Sequence, residues 1–446
     1  MSISVTAGTA RRTIPAPRRN RLVSLPLALV FLSSAATLTS FYLLLSVTPM
    51  FAAASGASGA GAGLVTGLPM LASVLAEGAA PALMARLGGR GVLAAGALLL
   101  GVPALGLLWS GSLGALLAVG LIRGLGFGFS VVVTGALVAE LVPADRRGEG
   151  TGLAGLVSCG PAVLALPSGV WLAQHYGYGL VTLAAAVAAL APLVVLAGLP
   201  GRTRRTDRDR HQAAPVPVQD GAPLTLRDGL RQPALRRTSL IFAATTVSAG
   251  VVVAFLPLAG GASERSAAAG LFAQAVTAAL GRWWGGRLGD RHGHASLLVP
   301  GLLLSVAGMA LIAAAGLTSA GAWLPITAMA IFGTGFGIIQ NATFAMMIDR
   351  VPASGYGAAS ALWNLAYDAG YGAGPAVFGV FVVYTGYPVA FALTGMLMVA
   401  ALVPALRDRA AQAAAAGRDG ALRPAPAGGG QVPGDVETGV TASSYC

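Results

Sequence analysis

Apolar residues run through this chain in long blocks, without the two-residue alternation of half-buried strands or the narrow stripe of a soluble amphipathic helix. Divided at its charge and Gly/Pro clusters, the sequence gives twelve such blocks, with approximate bounds 24–49, 60–84, 91–109, 114–140, 151–173, 178–199, 238–258, 267–285, 296–316, 322–347, 358–384 and 386–406. Each is close to the roughly 20 residues that a helix needs to cross bilayer hydrocarbon. A helix also satisfies its backbone hydrogen bonds within one segment, as hydrocarbon demands. The pattern predicts an all-α polytopic membrane protein of 12 transmembrane helices, six in residues 22–200 and six in residues 238–406. Residues 1–21 form a basic N-terminus, 201–237 a charged central loop and 407–446 an Ala-, Gly- and Pro-rich tail. The loop and the tail read as flexible by composition.

The polar residues between the blocks carry the orientation. All 28 basic residues are arginine, and 25 of them fall in the N-terminus, the central loop, the tail and the short even-numbered connections (Arg86, Arg90, Arg146, Arg147, Arg287, Arg291 and Arg350). The opposite face holds Arg265, and only Arg123 and Arg282 fall inside spans. The positive-inside rule then places both termini and the central loop in the cytoplasm, in a multi-pass protein of the cell membrane. Topology thus accounts for the net charge of +12, and no nucleic-acid partner is expected. Composition agrees with a bilayer partner: 55% of residues are hydrophobic, only 10% are charged and the mean hydropathy is +0.75. Soluble domains are about 25% charged. The first apolar run exceeds the roughly 7–15 residues of a signal-peptide core and reads as the first span. Cys159 and Cys446 form neither a disulfide framework nor a metal-binding spacing.

The two six-span halves are copies. "GLGFGFSVVVTGALVAELVPADRRG" (124–148) aligns with "GTGFGIIQNATFAMMIDRVPASGYG" (333–357) at one constant offset. Gly124/Gly333, Gly126/Gly335, Phe127/Phe336, Gly128/Gly337, Thr134/Thr343, Pro143/Pro352 and Gly148/Gly357 match, and Glu140 falls on Asp349. With a slightly drifting offset, Gly88 matches Gly293, Pro167 matches Pro375 and Gly177 matches Gly386. Two pseudo-symmetric six-helix bundles with both ends on one side follow the parallel-repeat plan of secondary transporters, whose site lies between the halves.

At this point the chain resembles the major facilitator superfamily over nearly all of residues 22–406. That family carries G-x-L-x-D-R-x-G-R between its second and third spans and a looser copy between the eighth and ninth. Here the stricter copy is the second one, "GRLGDRHGH", with Gly286, Leu288, Asp290, Arg291, Gly293 and His294. In the first copy Arg86, Gly88 and Arg90 persist, while Pro81 and Ala85 replace the first Gly and the Asp. The resemblance implies a cytoplasmic latch at these residues, joined by Glu140 and Asp349 at the ends of the fourth and tenth spans. "GLIRGLGFG" (120–128) resembles the fourth-span motif R-x-x-Q-G-x-G, with Arg123 at the Gln position. "NLAYDAGYGAGP" (364–375) resembles the Gly-Pro segment of the family's antiporters, displaced to the eleventh span. The drug:proton antiporter branch is the one implied.

Ionisable residues inside spans are costly and are functional candidates by default. Asp368 and Glu77 are candidate proton-linked acids, because a carboxyl held away from bulk water can load and release a proton. Arg282, the repeat counterpart of Glu77, is expected to pair with it across the halves. Arg123 either modulates the acids, binds an anionic group or ties helices through backbone carbonyls. Gln274, Gln340, Asn341 and Asn364 supply a polar wall, and Phe41, Tyr42, Trp363 and Tyr371 an apolar one, for an amphipathic organic substrate.

No paired-carboxylate or Ser/His/Asp arrangement points to an enzyme, and no Walker motif exists in a chain without lysine. His292 and His294 near Asp290 lack further ligands for a metal. The expected function is proton-coupled efflux of a small amphipathic molecule such as a drug, antibiotic or secondary metabolite, by a monomer without cofactors. Uptake or facilitated diffusion of a nutrient, and a non-transporting membrane sensor or assembly partner, are the alternatives.

Overall fold

The computed structural model describes residues 24–142, 147–196, 226–259, 264–318, 321–352 and 355–422. The arginines of residues 11–21, Arg146 and those of residues 202–210 lie outside them. All described secondary structure is helical. In the first half, α1 (Leu25–Leu45) is continued by α2 (Thr48–Ala54), followed by α3 (Gly59–Gly106), α4 (Leu113–Leu141), α5 (Arg147–Tyr176) and α6 (Tyr178–Leu196). A short α7 (Leu226–Arg231) precedes the second half: α8 (Pro233–Phe255), α9 (Glu264–His292), α10 (Leu298–Ala315), α11 (Trp323–Asp349) and α12 (Tyr356–Leu422). Ser24, Ser58 and Ser112 each accept a hydrogen bond from a first-turn amide and fix the starts of α1, α3 and α4.

Eight of these helices are long and apolar enough to cross a membrane. Two of the eight are double-length: α3 breaks at Gly88 and α12 at Gly386. With the shorter α6 and the more polar α9, the helices make the twelve traverses that the hydrophobic blocks predict. Two outer boundaries differ from the sequence expectation. The second bundle begins at Pro233, and Leu235 is fully buried, whereas the apolar pattern extends the central loop to residue 237. The last helix continues beyond Leu406, and Asp408 is buried, in what reads as tail. Arginines mark both boundaries in the sequence, but Arg237 and Asp408 pair with each other, so charge at a helix end does not mean loop.

The duplication is written into the backbone. Gly88 and Gly293 have φ of 73° and 83°, Gly177 and Gly386 have 80° and 73°, and all four turn one span into the next. L-residues with a Cβ rarely adopt this conformation. The glycines of α4 and α11 repeat each other's packing. A Cβ on Gly126 would meet the Gly96 carbonyl, and one on Gly335 the Gly301 carbonyl. Likewise Gly124 abuts Pro69 as Gly333 abuts Gln274, and Gly128 abuts Ser73 as Gly337 abuts Ala278. Such bare backbone surfaces let membrane helices pack closely without a hydrophobic driving force.

The halves meet along two seams related by the repeat, α3 on α12 and α9 on α5. At the end opposite the arginine-rich connections the first seam is shut backbone to backbone. Gly59, Gly63 and Gly67 face Gly379, Pro375 and Gly372, and a Cβ at Gly59 or Gly67 would lie only 2.8 or 2.9 Å from the facing carbonyl oxygen. Toward the arginine-rich end the constraint vanishes: a Cβ at Gly78 or Gly357 would have nothing within 4 Å. The described state is therefore sealed at one end and loose at the other.

Candidate functional site

Midway along the α3–α12 seam, two acids from different halves meet. Ser73 and Glu77 sit one turn apart on α3 and so share a face. On α12, Asp368 is only 5% exposed. It accepts a hydrogen bond from Ser73 Oγ at 3.2 Å. The carboxyl group of Glu77 lies beside it. Two carboxylates cannot donate to each other, so a hydrogen bond between these acids requires a proton on one of them. The reach is set one turn away, where Gly372 lies against Gly67 and Met70 and lets the helices close up.

The expected pairing of Glu77 with Arg282 does not occur. Arg282 instead donates to Cys159 Sγ at 2.9 Å. The reason is the repeat itself. Glu77 and Arg282 occupy equivalent positions, and equivalent positions face opposite seams, α3 on α12 and α9 on α5. The first seam thus brings two acids together, with Ser73 bonding Asp368 across it, and the second brings a guanidinium to a thiol. The seams come together at Tyr42 of α1 and Tyr367 of α12, which lie near each other and near Arg282 and Asp368.

A run of aromatic rings extends along α12 through Tyr367. Trp363, Tyr367 and Tyr371 recur every four residues and stack, with centroids 6.0 and 5.5 Å apart. Trp363 is pinned by Phe242, stacked at 4.5 Å, and by a 3.2 Å hydrogen bond from its Nε1 to Thr343 Oγ1. Beside these rings, Gly370 and Gly374 press against the α8 backbone. Asn364 is half-buried on the same helix. Gln274, Gln340 and Asn341 lie in α9 and α11; Gln274 Oε1 and Asn341 Oδ1 are buried without a hydrogen-bond partner. Phe41 belongs elsewhere, stacked 3.7 Å from Phe127 inside the first half.

Arg123 is also within the first half. It is 4% exposed and donates to the backbone oxygens of Leu100 and Ser40, the latter at 2.9 Å, and to Ser40 Oγ at 3.3 Å. It ties α4 to α1 and α3, which is the helix-tying alternative raised by the sequence.

At the arginine-rich end, the strict loop copy gathers within the second half. His294 lies 3.7 Å from Asp290 and 3.9 Å from Asp349, beyond hydrogen-bond reach but close enough for a charge interaction when the ring is protonated. Gly293 makes the turn, Gly286 passes Asn341, and Arg291 is exposed. In the first half, Gly88 makes the equivalent turn, while Arg86, Arg90 and Glu140 are exposed. The sequence reading misses a second polar cluster here. Asp408, with a fully buried side chain, binds Arg237 at 2.8 Å and Arg350 at 3.1 Å. Thr238 completes it, accepting from Arg350 and lying 3.5 Å from Asp408. Ser73, Cys159 and Tyr367 are missed as well. Ser73 lies one turn before a chosen acid, and Tyr367 stands beside another in the quoted segment, so both are findable by helical spacing.

Comparisons place this geometry among known folds. A family model described as Major Facilitator Superfamily matches residues 30–374 and again 261–428. Among solved structures, the nucleoside transporter NupG is 14% identical with a TM-score of 0.66, covering 87% of this chain and 99% of that one. A POT family transporter in complex with 5-aminolevulinic acid is 14% identical, with a TM-score of 0.69 and coverage of 86% and 95%. A D-xylose-proton symporter is 17% identical, with a TM-score of 0.64 and coverage of 85% and 96%. No curated protein sequence matches the chain.

Proposed function

The chain belongs to the major facilitator superfamily and is a secondary transporter of that type, and from that premise we propose that it couples proton entry to the export of a small amphipathic organic molecule. The observation that carries the coupling is the placement of Glu77 beside Asp368, one acid from each half, with Asp368 buried and bonded to Ser73 across the seam. With its proton the pair holds the seam together. Without it, two like charges face each other across the seam. Two unit charges about 4 Å apart interact by about 4 kcal/mol at an effective dielectric of about 20. That exceeds the roughly 1–3 kcal/mol typical of coupling between sites. Proton loss therefore drives the halves apart along this seam, and reloading draws them together.

In this reading the arginine-rich end is cytoplasmic, so the described state is open inward and the protein works as a monomer. Tyr42, Trp363, Asn364 and Tyr371 line the substrate path, with Gln274, Gln340 and Asn341 offering polar contacts. Phe41 and Arg123 hold the first half in shape. The Asp290–His294–Asp349 group acts as a latch on the inner side. Export is supported by the likeness of residues 364–375 to the antiporter Gly-Pro segment. A second reading, uptake of an acid together with its proton, is favoured by one observation: Arg282 is an intramembrane cation whose partner is a thiol.

The test uses everted membrane vesicles with an acid-loaded lumen and a panel of aromatic amphiphiles spanning anionic, neutral and cationic forms. At least one compound is expected to release the stored protons, and Asp368→Asn and Glu77→Gln each to abolish that response. Proton-independent transport at full rate in Asp368→Asn would remove the coupling assignment. Substrate-driven proton movement of the opposite sign would replace export by uptake.

A further inference from the structure

We infer that Arg282 anchors the carboxylate of the substrate, so that the transported molecules are amphipathic organic acids. This deepens the transport reading and rests on it, but it does not depend on the direction of transport.

Four observations converge. Arg282 is half-buried within a span and makes no ion pair among the described residues. Its hydrogen bond goes to the Cys159 sulfur, a weak acceptor that cannot offset a charge as a carboxylate does. A guanidinium in a membrane span normally pairs or faces a watery path, and its planar fork matches a carboxylate in two-point geometry. The intramembrane acids Asp368 and Glu77 lie on the other seam, where Asp368 is bonded to Ser73. Finally, Arg282 lies near Tyr42 and near Tyr367, the middle ring of the aromatic run of α12, so an anionic head at Arg282 places an apolar body along those rings.

The symmetry of the seams strengthens the point. The two crossings are equivalent in the fold yet carry opposite chemistry, acids on one and a cation on the other. A duplicated transporter with one proton site and one anion site needs that division. Both sites border Tyr42 and Tyr367. By Coulomb's law an anion on Arg282 favours a proton on the acids, so acid binding is expected to bring proton uptake.

The full chain in lipid nanodiscs tests this by calorimetry. The probes are phenyl-, naphthyl- and biphenylpropionate, each with its primary amide and amine analogue. Titrations in two buffers of different ionisation enthalpy count the protons taken up or released. For the best-fitting body, the acid is expected to bind about tenfold or more tightly than its amide, as a charge-assisted pair implies. Arg282→Gln should erase that preference, Arg282→Lys should keep part of it, and Cys159→Ala, which frees the guanidinium, should preserve or raise it. Preference for the amine, a preference unchanged in Arg282→Gln, or no saturable binding by any of the acids overturns the inference. Loss of the proton signal in Asp368→Asn with the charge preference intact leaves it standing. An Arg282-dependent preference with no proton signal in any variant also leaves it standing and removes the proton coupling instead.

Discussion

Gly63 offers a direct test of how the sealed end closes. Its neighbours Gly59 and Gly67 on α3 leave room for a Cβ only 2.8 and 2.9 Å from the carbonyl oxygens of Gly379 and Gly372. Ordinary contact begins at 3.4 Å, so even these positions are about 0.5 Å short. Gly63 is tighter still, against the Pro375 backbone, and backbone on both sides cannot swing away as a side chain does. A single added methyl must push α3 and α12 apart. Overpacking of this kind costs about 1–3 kcal/mol. That penalty falls on the sealed state alone, because the faces separate when the seam opens. The population of the sealed state should therefore drop by about 5- to 150-fold relative to the alternative. Gly78→Ala is the control: it makes the same change on the same helix, where a Cβ meets nothing within 4 Å. Spin labels at Ala54→Cys and Tyr384→Cys, in a background with Cys159 and Cys446 replaced by serine, report the distance across this end by pulsed electron resonance. The short-distance component should lose weight in Gly63→Ala and persist in Gly78→Ala. Superimposable distributions in the two variants would refute the claim that this backbone contact is the seal.

Two further outcomes follow from charges that the seams do not use. Asp408→Ala leaves Arg237 and Arg350 facing each other, with side-chain exposures of 33% and 24% that let both reach water. Breaking a buried pair costs about 3–5 kcal/mol, which this partial exposure reduces to about 2 kcal/mol. At about 2–4 °C per kcal/mol for a half of this size, the melting temperature in detergent should fall by about 4–8 °C; an unchanged melting temperature would show that the cluster adds nothing. Arg123→Met removes the tie between α4, α1 and α3 but leaves Ser40 and Leu100 inside helices. It should lower the melting temperature while leaving the proton count of the calorimetric titrations unchanged, and loss of that count would make Arg123 part of the proton path.

The fold is legible because it is repeated in the hydrophobic blocks and in the glycines. Gly88/Gly293 and Gly177/Gly386 align in sequence, and these are the positive-φ turns of the structure. The site is legible only in part. Asp368, Glu77 and Arg282 stand out as charges in apolar runs, since each is costly there. Their pairing does not follow, because sequence equivalence between Glu77 and Arg282 suggests contact, whereas the symmetry that makes them equivalent places them on different seams. Asp408 is hidden by its neighbours Arg407 and Arg409: flanking charge reads as solvent exposure, and its partners Arg237 and Arg350 are 171 and 58 residues away.

The lesson of the two seams concerns what a duplicated fold can do. If both crossings carried acids, each would take a proton and neither would recognise a substrate charge. If both carried arginines, nothing would bind the driving ion. In the proposed reading, Arg282 and Cys159 in place of an acid pair on one seam give each crossing a different ligand. Tyr42 and Tyr367 then stand near both Arg282 and Asp368. The sign of that interaction is fixed by Coulomb's law: a proton on the acids and an anion on the arginine favour each other. An exporter built on these residues must overcome that mutual preference in its outward state, whereas an importer is helped by it throughout. The proton count on acid binding is therefore the measurement on which the direction of this transporter turns.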